Sequence, residues 1–322
     1  MNMKKILVMG SAVADVIIRL EDHLPKTGED VHVLSQEMRP GGCAFNVFNA
    51  IRKFTPDVIP FFPIGTGPYA QFVDGVFQEQ GIVSAAPRAA EPNGCCYCFI
   101  EPGGERTFVV YHGAEYRFRR EWFDTLDTSG IDLCYVCGLE IEENTGPVVV
   151  DFLEQNPHMH VFFAPGPRIA KISRDLLARI FALHPILHLN EREAGACVSI
   201  MKGLYPDGGV NAGPDAVSRP DVVSIADVDI PEIALAAAIH RITENTVIVT
   251  LGSRGSLYYD SRCAQAPFAL IPPCPVKQVD TNGAGDAHAG TVMALLHQGK
   301  SLVEALTEAN RMAAAIVSRP VS

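Results

Sequence analysis

Apolar residues in this chain come in short continuous runs, and between many of those runs the apolar positions recur at helical spacing. Residues 5–9 form such a run ending at Gly10 and read as a buried strand. Segments 13–19 and 31–35 are further strand candidates, with a Pro- and Gly-containing turn at 24–28 between them. Gly41-Gly42 then opens a predicted helix that runs to about Phe54. Residues 58–62 read as a strand, and 69–80 as a helix stopped by Gly81, a natural residue for a left-handed helix end. Segments 95–101 and 107–112 flank Pro102-Gly103-Gly104-Glu105 and read as a hairpin.

From residue 133 onward the alternation is regular. Strands are predicted at 133–137, 160–163, 186–189 and 247–251, and helices at 146–154, 173–183, 191–200 and 231–244. The last of these helices has Asp229 ahead of it and Pro231 in its first turn, both start signals. Helices at 286–298 and 301–317 follow, the second with Ser301 and Glu304 at capping-box spacing. Alternating strands and helices imply a parallel sheet covered on both faces. The strand groups near 13–35 and 95–112 fall outside that alternation, and a small β-sheet lid over one end of the main sheet absorbs both. The expectation is therefore one doubly wound, mostly parallel α/β domain over 1–322 with the lid strands inserted. The Gly-, Pro- and Asp-rich stretch 205–221 reads as a loop.

Composition agrees with a folded protein: of 322 residues, 48% are hydrophobic and 20% charged. A formal net charge of −11 argues against nucleic acid as a partner, although a nucleotide can still bind where local amide dipoles set the field. No apolar run is long enough to span a membrane, and the apolar stretch after Lys4 and Lys5 is too short for a signal-peptide core, so a soluble cytoplasmic protein is expected. Nine cysteines include Cys134 and Cys137 at CxxC spacing and a cluster at Cys95, Cys96 and Cys98. Both sets lie in strand-like runs with no second pair at zinc spacing, so they read as small buried hydrophobes in a reducing compartment.

Four strings carry candidate chemistry. In Asp280-Thr281-Asn282-Gly283-Ala284-Gly285-Asp286, the small residues let backbone N–H groups converge on an anion at a helix start. Asp286 then stands where a carboxylate can take a proton from a substrate hydroxyl. The plain alternative is a glycine turn with an ordinary helix-start acid. Gly41-Gly42-Cys43-Ala44-Phe45-Asn46 allows a ligand close to the backbone, with Asn46 offering a donor and an acceptor to a polyol, or is a simple loop-to-helix junction. Asn190-Glu191-Arg192-Glu193 ends an apolar strand, where ligand sites form in such sheets; its alternative is a solvated charge run. Thr250-Leu251-Gly252-Ser253-Arg254-Gly255 permits a nucleotide against the backbone and also reads as a tight hairpin turn before 256–260.

These four strings, in this order and spacing, resemble the ribokinase-like (PfkB-type) carbohydrate kinase family from Gly10 to Arg319, and Gly104-Glu105-Arg106-Thr107 is similar to its lid hairpin. The resemblance implies an ATP- and Mg²⁺-dependent phosphotransferase acting on a hydroxyl of a sugar or sugar-like molecule. It implies Asp286 as general base, with Gly283, Ala284 and Gly285 as the anion hole. Asp15, Gly42, Asn46 and Glu140 fall at sugar contacts, and Asn190, Thr250, Gly252, Gly255 and Asn310 on the nucleotide side. Glu193 falls near Mg²⁺ through water. Asp280 matches a ligand of a monovalent cation such as K⁺; the chain stops at 319–322, ahead of the loop that closes that site in many members, so K⁺ is left open. Lids of this kind often pair across a dimer, so a homodimer is expected.

Departures from the family pattern include Asn282 for Thr, His288 for Phe, Val13 for a polar residue, which argues against ribose, and Ala164 for Asp before Pro165 and Arg168. His288 reads either as a residue packed on a helix face or as one reaching the sugar pocket. A nucleoside acceptor is the main alternative, with Phe45, Phe48 and Phe108 as candidate stacking surfaces. A dehydrogenase reading of Gly65-Thr66-Gly67-Pro68-Tyr69-Ala70, with Glu91 as its acid, and a non-catalytic sugar sensor are further alternatives. The sensor reading expects loss of the base or anion hole, and both strings are intact.

Overall fold

The computed structural model describes residues 4–204, 230–263 and 266–318, so the loop predicted at 205–221 and Asp229 lie outside it. The apolar run Lys5–Met9 (β1) takes an interior place in an eight-stranded sheet. The chain then leaves that sheet. Val13–Leu20 (β2) and Val33–Gly41 (β3) pair antiparallel in a separate small sheet. Helix Cys43–Ile51 (α1) leads back to Val58–Phe61 (β4), parallel to β1 at the edge of the large sheet. Strand Ile64–Thr66 (β5), helix Gly67–Gln80 (α2) and strand Arg88–Pro92 (β6) follow, with β5 and β6 paired. Cys95–Ile100 (β7) and Arg106–Tyr111 (β8) complete the small sheet in the order β3-β2-β7-β8.

After the short helix Arg120–Phe123 (α3), strand Ile131–Cys137 (β9) lies on the other side of β1. From there the sheet grows outward. Helices Gly138–Glu142 (α4) and Gly146–Gln155 (α5) precede His160–Ala164 (β10); helix Arg174–Ala182 (α6) precedes Ile186–Asn190 (β11). Helices Glu191–Leu204 (α7) and Pro231–Thr243 (α8) then lie ahead of Val247–Thr250 (β12). Ser256–Tyr259 (β13) and Phe268–Ile271 (β14) turn antiparallel, and helices Ala284–His297 (α9) and Leu302–Val317 (α10) complete the described fold. The large sheet has the order β4-β1-β9-β10-β11-β12-β13-β14. Its winding reverses between β1 and β9, and at such a switch point the connections diverge and leave a crevice beyond the strand ends.

The continuous apolar runs have a simple cause: each strand faces a core on both sides. Ile6, Val8, Leu133, Tyr135 and Ile248 share one cluster with Phe45 of α1, Val292 of α9 and Leu306 of α10. Leu7, Met9, Cys134, Val136 and Val249 enter the other, with Val150 of α5, Ile180 of α6 and Ile239 of α8. The small sheet has its own cluster, Val16, Ile18, Leu20 and Cys95 with Tyr69 of α2. Its opposite face, by ladder register, carries Asp15 beside Arg39 and Cys96, then Cys98, Ile100 and Arg106.

Three boundaries differ from the sequence reading by three residues or more. The strand expected at 31–35 is Val33–Gly41, the helix after Gly42 ends at Ile51, not near Phe54, and the helix expected at 191–200 runs on to Leu204. The strand is exposed along most of its length, so it needs no apolar alternation and does not show one. Strands β5, β6 and β14 and helices α3 and α4 were not foreseen. Among the described residues no helix is long and apolar enough to cross a membrane.

Candidate active site

Helix α9 starts on Gly283, whose left-handed φ of 72° turns the loop into the helix. The Ala284 N–H is engaged with the Thr281 carbonyl at 3.2 Å, and the Ala287 N–H with the Gly283 carbonyl at 2.9 Å. First-turn amides have no intrahelical acceptor, so Gly285 and Asp286, rather than Ala284, offer donors at the positive end of the helix. Asp286 Oδ2 accepts a hydrogen bond from Asn46 Nδ2 at 2.9 Å, joining residues 240 positions apart. Burial pushes the Asp286 carboxyl up to about 6, against the opposing hydrogen bonds from Asn46 and Cys43.

Two glycines let the end of β3 pass this close. A Cβ on Gly41 would lie 2.1 Å from Asp15 Oδ2, and one on Gly42, at φ 98°, 2.5 Å from the Ser11 carbonyl. Glu140, in α4, is 1% exposed; its Oε1 accepts the Ser11 N–H at 2.9 Å and its Oε2 has no partner. Burial, with the charge of Asp286 adding to it, raises Asp15 to about 7. Burial likewise raises Glu140 to about 7, and Asp286 contributes there too. The structure thus brings Asp15, Gly42, Asn46, Glu140 and Asp286 to one crevice, and its cluster of perturbed carboxyls makes it the candidate functional site.

Across the crevice, Asn190 and Glu193 hold each other. The Asn190 N–H donates to Glu193 Oε2 and the Glu193 N–H to Asn190 Oδ1, each at 2.9 Å. Burial raises Glu193, and the charge of Asp286 raises it further. Two acids that repel across one crevice fit a divalent cation held there through water. Thr250 stands opposite Asn190 in the ladder and donates to the Leu189 carbonyl at 3.3 Å. The Gly252–Gly255 turn joins β12 to β13 as expected, and a Cβ on Gly255 would strike the Ile271 carbonyl at 2.1 Å. Asn310 is buried, and its Nδ2 is committed to the carbonyls of Ile271 at 3.2 Å and Pro272 at 3.0 Å. Asp280 Oδ1 accepts Arg106 Nη1 at 2.7 Å and the Asn282 N–H at 2.9 Å. A guanidinium therefore meets one oxygen of Asp280, the residue at which the sequence left K⁺ open.

The model for pfkB family carbohydrate kinases matches residues 3–321. The chain belongs to that family. It is 30% identical over 321 residues to the uncharacterized sugar kinase YegV of Escherichia coli K12, covering 98% of this chain and 88% of that protein. In fold it is similar to a ribokinase from Thermotoga maritima, with a TM-score of 0.77 at 22% identity over 98% of this chain and 93% of that one. A nucleoside kinase from Methanocaldococcus jannaschii gives 0.72 at 16% identity over 99% and 93%. The doubly wound sheet with a smaller β-sheet is thus the fold of this carbohydrate kinase.

Several other residues singled out in the sequence lie elsewhere in the kinase. His288 is 2% exposed, and its Nδ1 lies 2.9 Å from His188 Nε2, packed between α9 and β11. Phe45 and Phe48 are core residues at 2% and 5% exposure; Phe108 is 51% exposed on the small sheet. The Gly65 turn is filled by β6: the Gly65 N–H donates to Asn93 Oδ1 at 2.7 Å, and a Cβ there would strike the Glu91 carbonyl at 1.9 Å. That leaves no room for a pyrophosphate, and Glu91 pairs with Arg119. Cys134 and Cys137 are buried in β9, and all nine cysteines are free thiols. Sequence reasoning missed Ser11, Cys43 and Arg106 as parts of the site. Cys43 and Arg106 left traces, in the Gly41–Asn46 and Gly104–Thr107 strings, without their destinations.

Proposed function

We propose that this pfkB-family kinase transfers the γ-phosphoryl group of ATP to a hydroxyl of a sugar or sugar-like small molecule, with Asp286 as general base. The observation that carries this is the Asn46–Asp286 hydrogen bond, which joins the two most informative strings at one point. The acceptor oxygen attacks the γ-phosphorus, the bond to the β-phosphate oxygen breaks, and ADP leaves with that electron pair. The hydroxyl proton passes to the Asp286 carboxylate, which Asn46 holds in place. The 283–285 turn and the first amides of α9 face the charge on the transferring group. Asp15, Gly42 and Glu140 hold the remaining hydroxyls. With their carboxyls raised to about 7, Asp15 and Glu140 can donate as well as accept near neutrality.

Asn190, Thr250, Gly252, Gly255 and Asn310 form the nucleotide side. Mg²⁺, held through water by Glu193, would neutralise charge between the β and γ phosphates. The whole of 1–322 is read as one domain in which the small sheet is a lid that excludes water from the acceptor. Its exposed apolar strands favour a homodimer. A nucleoside acceptor is the weaker reading, since Phe45 and Phe48 are locked in the core and only Phe108 is left to stack.

The test is Asp286→Asn with ATP and a panel of sugars and nucleosides. Loss of a general base costs roughly 10²–10⁴ in rate. The expected result is kcat lowered at least about a hundredfold on the best acceptor, with nucleotide affinity changed far less. Near-normal kcat in this variant overturns the assignment.

A further inference from the structure

The small sheet reaches the 280–286 loop through an ion pair. Arg106 is the first residue of β8, at the tip of the hairpin, and its Nη1 donates to Asp280 Oδ1 at 2.7 Å. The same oxygen accepts the Asn282 N–H at 2.9 Å. One carboxylate oxygen therefore receives the hairpin and shapes the turn that leads into Gly283. The two side chains are only 22% and 24% exposed, so solvent screens the pair less than an open surface bridge. Arg106 lies opposite Ile100, on the face of the small sheet that also carries Asp15.

The two ends of β8 are held differently. Just beyond its far end, His112 Nδ1 meets Glu143 Oε1 at 2.5 Å, next to α4, and the ring stacks on Tyr116 at 4.0 Å. That end is tied to the body of the protein beside the Glu140 helix. On the loop side, the N–H groups of Val279 and Asp280 donate to the Val317 carbonyl at 2.8 and 3.1 Å, fixing the root of the loop on α10. The fixed partner is thus Asp280, and the hairpin tip is the part able to lift.

We propose that Arg106 is a positioning residue: its ion pair with Asp280 latches the small sheet over the acceptor and sets the 280–282 turn from which the anion-facing amides follow. This rests on the kinase reading above. Opening the latch frees the hairpin and loosens the turn together, so acceptor binding and protection of ATP from water are lost in step. Arg39, opposite Asp15 in the ladder, adds its charge to the same carboxylate.

The experiment compares Arg106→Gln, Asp280→Asn, the double variant and Arg106→Lys. One readout is independent of any acceptor: amide hydrogen exchange of residues 100–107 in the free protein. Exchange there is expected to quicken about tenfold in each single variant, the size of effect that follows loss of a part-buried ion pair. Acceptor KM is expected to rise about tenfold, with a smaller change in kcat and more ATP hydrolysis per sugar phosphorylated. The double variant should be no worse than either single one, because the two changes remove the same interaction. Arg106→Lys, which keeps a charge, should retain most of the wild-type behaviour, and if Arg106→Gln fails to fold, Asp280→Asn alone reads the broken latch. Wild-type exchange in both single variants overturns the latch. So do additive effects in the double variant, or an effect of Arg106→Gln with Asp280→Asn silent. A failure of the kinase reading shows separately, as wild-type protein that phosphorylates no acceptor while its hairpin exchange still responds to the variants.

Discussion

A carboxylate that takes a proton from an alcohol works best when it is ionised at the working pH yet more basic than an exposed aspartate. Asp286 meets both conditions because two influences oppose each other: burial raises it to about 6, and the bonds from Asn46 and Cys43 restrain the rise. The sign of the Asn46 effect follows directly. Its Nδ2–H binds the ionised form, so removing it leaves burial less opposed and moves the carboxyl higher. Hydrogen bonds to charged groups are worth about 1.5–3 kcal/mol, and one pKa unit is about 1.4 kcal/mol. Asn46→Leu is therefore expected to shift the acid limb of the kcat/KM profile upward from near 6 by about one unit, with partial recovery of rate in alkaline buffer. Acceptor KM is expected to rise as well, since Asn46 is also proposed to contact the sugar, but only the charge effect moves the limb. A profile that scales down without moving would show that Asn46 does not tune the base.

Elements join the two halves of the crevice from below. His188 lies two residues before Asn190 on β11, His288 two residues after Asp286 on α9, and their rings meet at 2.9 Å. Burial lowers both imidazoles, His288 to about 4. For a histidine lowered in the folded state, the unfolded chain takes up the proton first. Stability is therefore intact above the unfolded value near 6.5 and is lost as pH falls from there toward about 4. One such group costs about 2 kcal/mol by about pH 5. The double variant His188→Leu with His288→Phe is expected to lose less melting temperature than wild type between about pH 7.5 and about pH 5, while KM ratios among acceptors stay unchanged. An equal loss in both proteins would remove this pair from the acid sensitivity. How much of the fold could be read in advance follows from the same kind of burial. β9, β10, β11 and β12 were legible because each is apolar on both faces. β3 was misplaced because as an edge strand it has little to bury; β5 is only three residues long, and β6, Arg88–Pro92, buries Ala89 alone and carries no apolar run. Asp286, Asn46 and Glu193 stood out through their glycine and carboxylate strings. The contact of Arg106 with Asp280 did not, because it depends on how a hairpin folds back across 174 residues.

At the scale of the whole molecule, the small sheet is unfinished as a surface. Both of its outer strands expose large apolar side chains: Val33, Leu34 and Met38 on β3 at 51%, 65% and 44%, and Phe108, Val109, Val110 and Tyr111 on β8 at 51%, 53%, 46% and 55%. Unpaired edges with contiguous apolar residues are ordinarily covered, because left bare they pair with whatever strand arrives. Helix α2 covers one face of this sheet near β2, but these edge residues lie beyond that contact. A second copy of the chain is the occupant proposed for them, strand edge meeting strand edge about a two-fold axis. A stable interface buries about 1,600 Å² in total, which two such sheets can approach only if both outer strands take part. The expected solution state is a dimer at micromolar concentration by light scattering. Phe108→Glu with Leu34→Glu places unpaired charge on both strands and is expected to shift the mass to a single chain. If the same sheet is the lid proposed above, the monomeric variant should also show a higher acceptor KM with kcat changed less, as a lid without support closes less often. Wild-type protein at single-chain mass across the micromolar range would reject the dimer and leave the apolar strands in need of another partner.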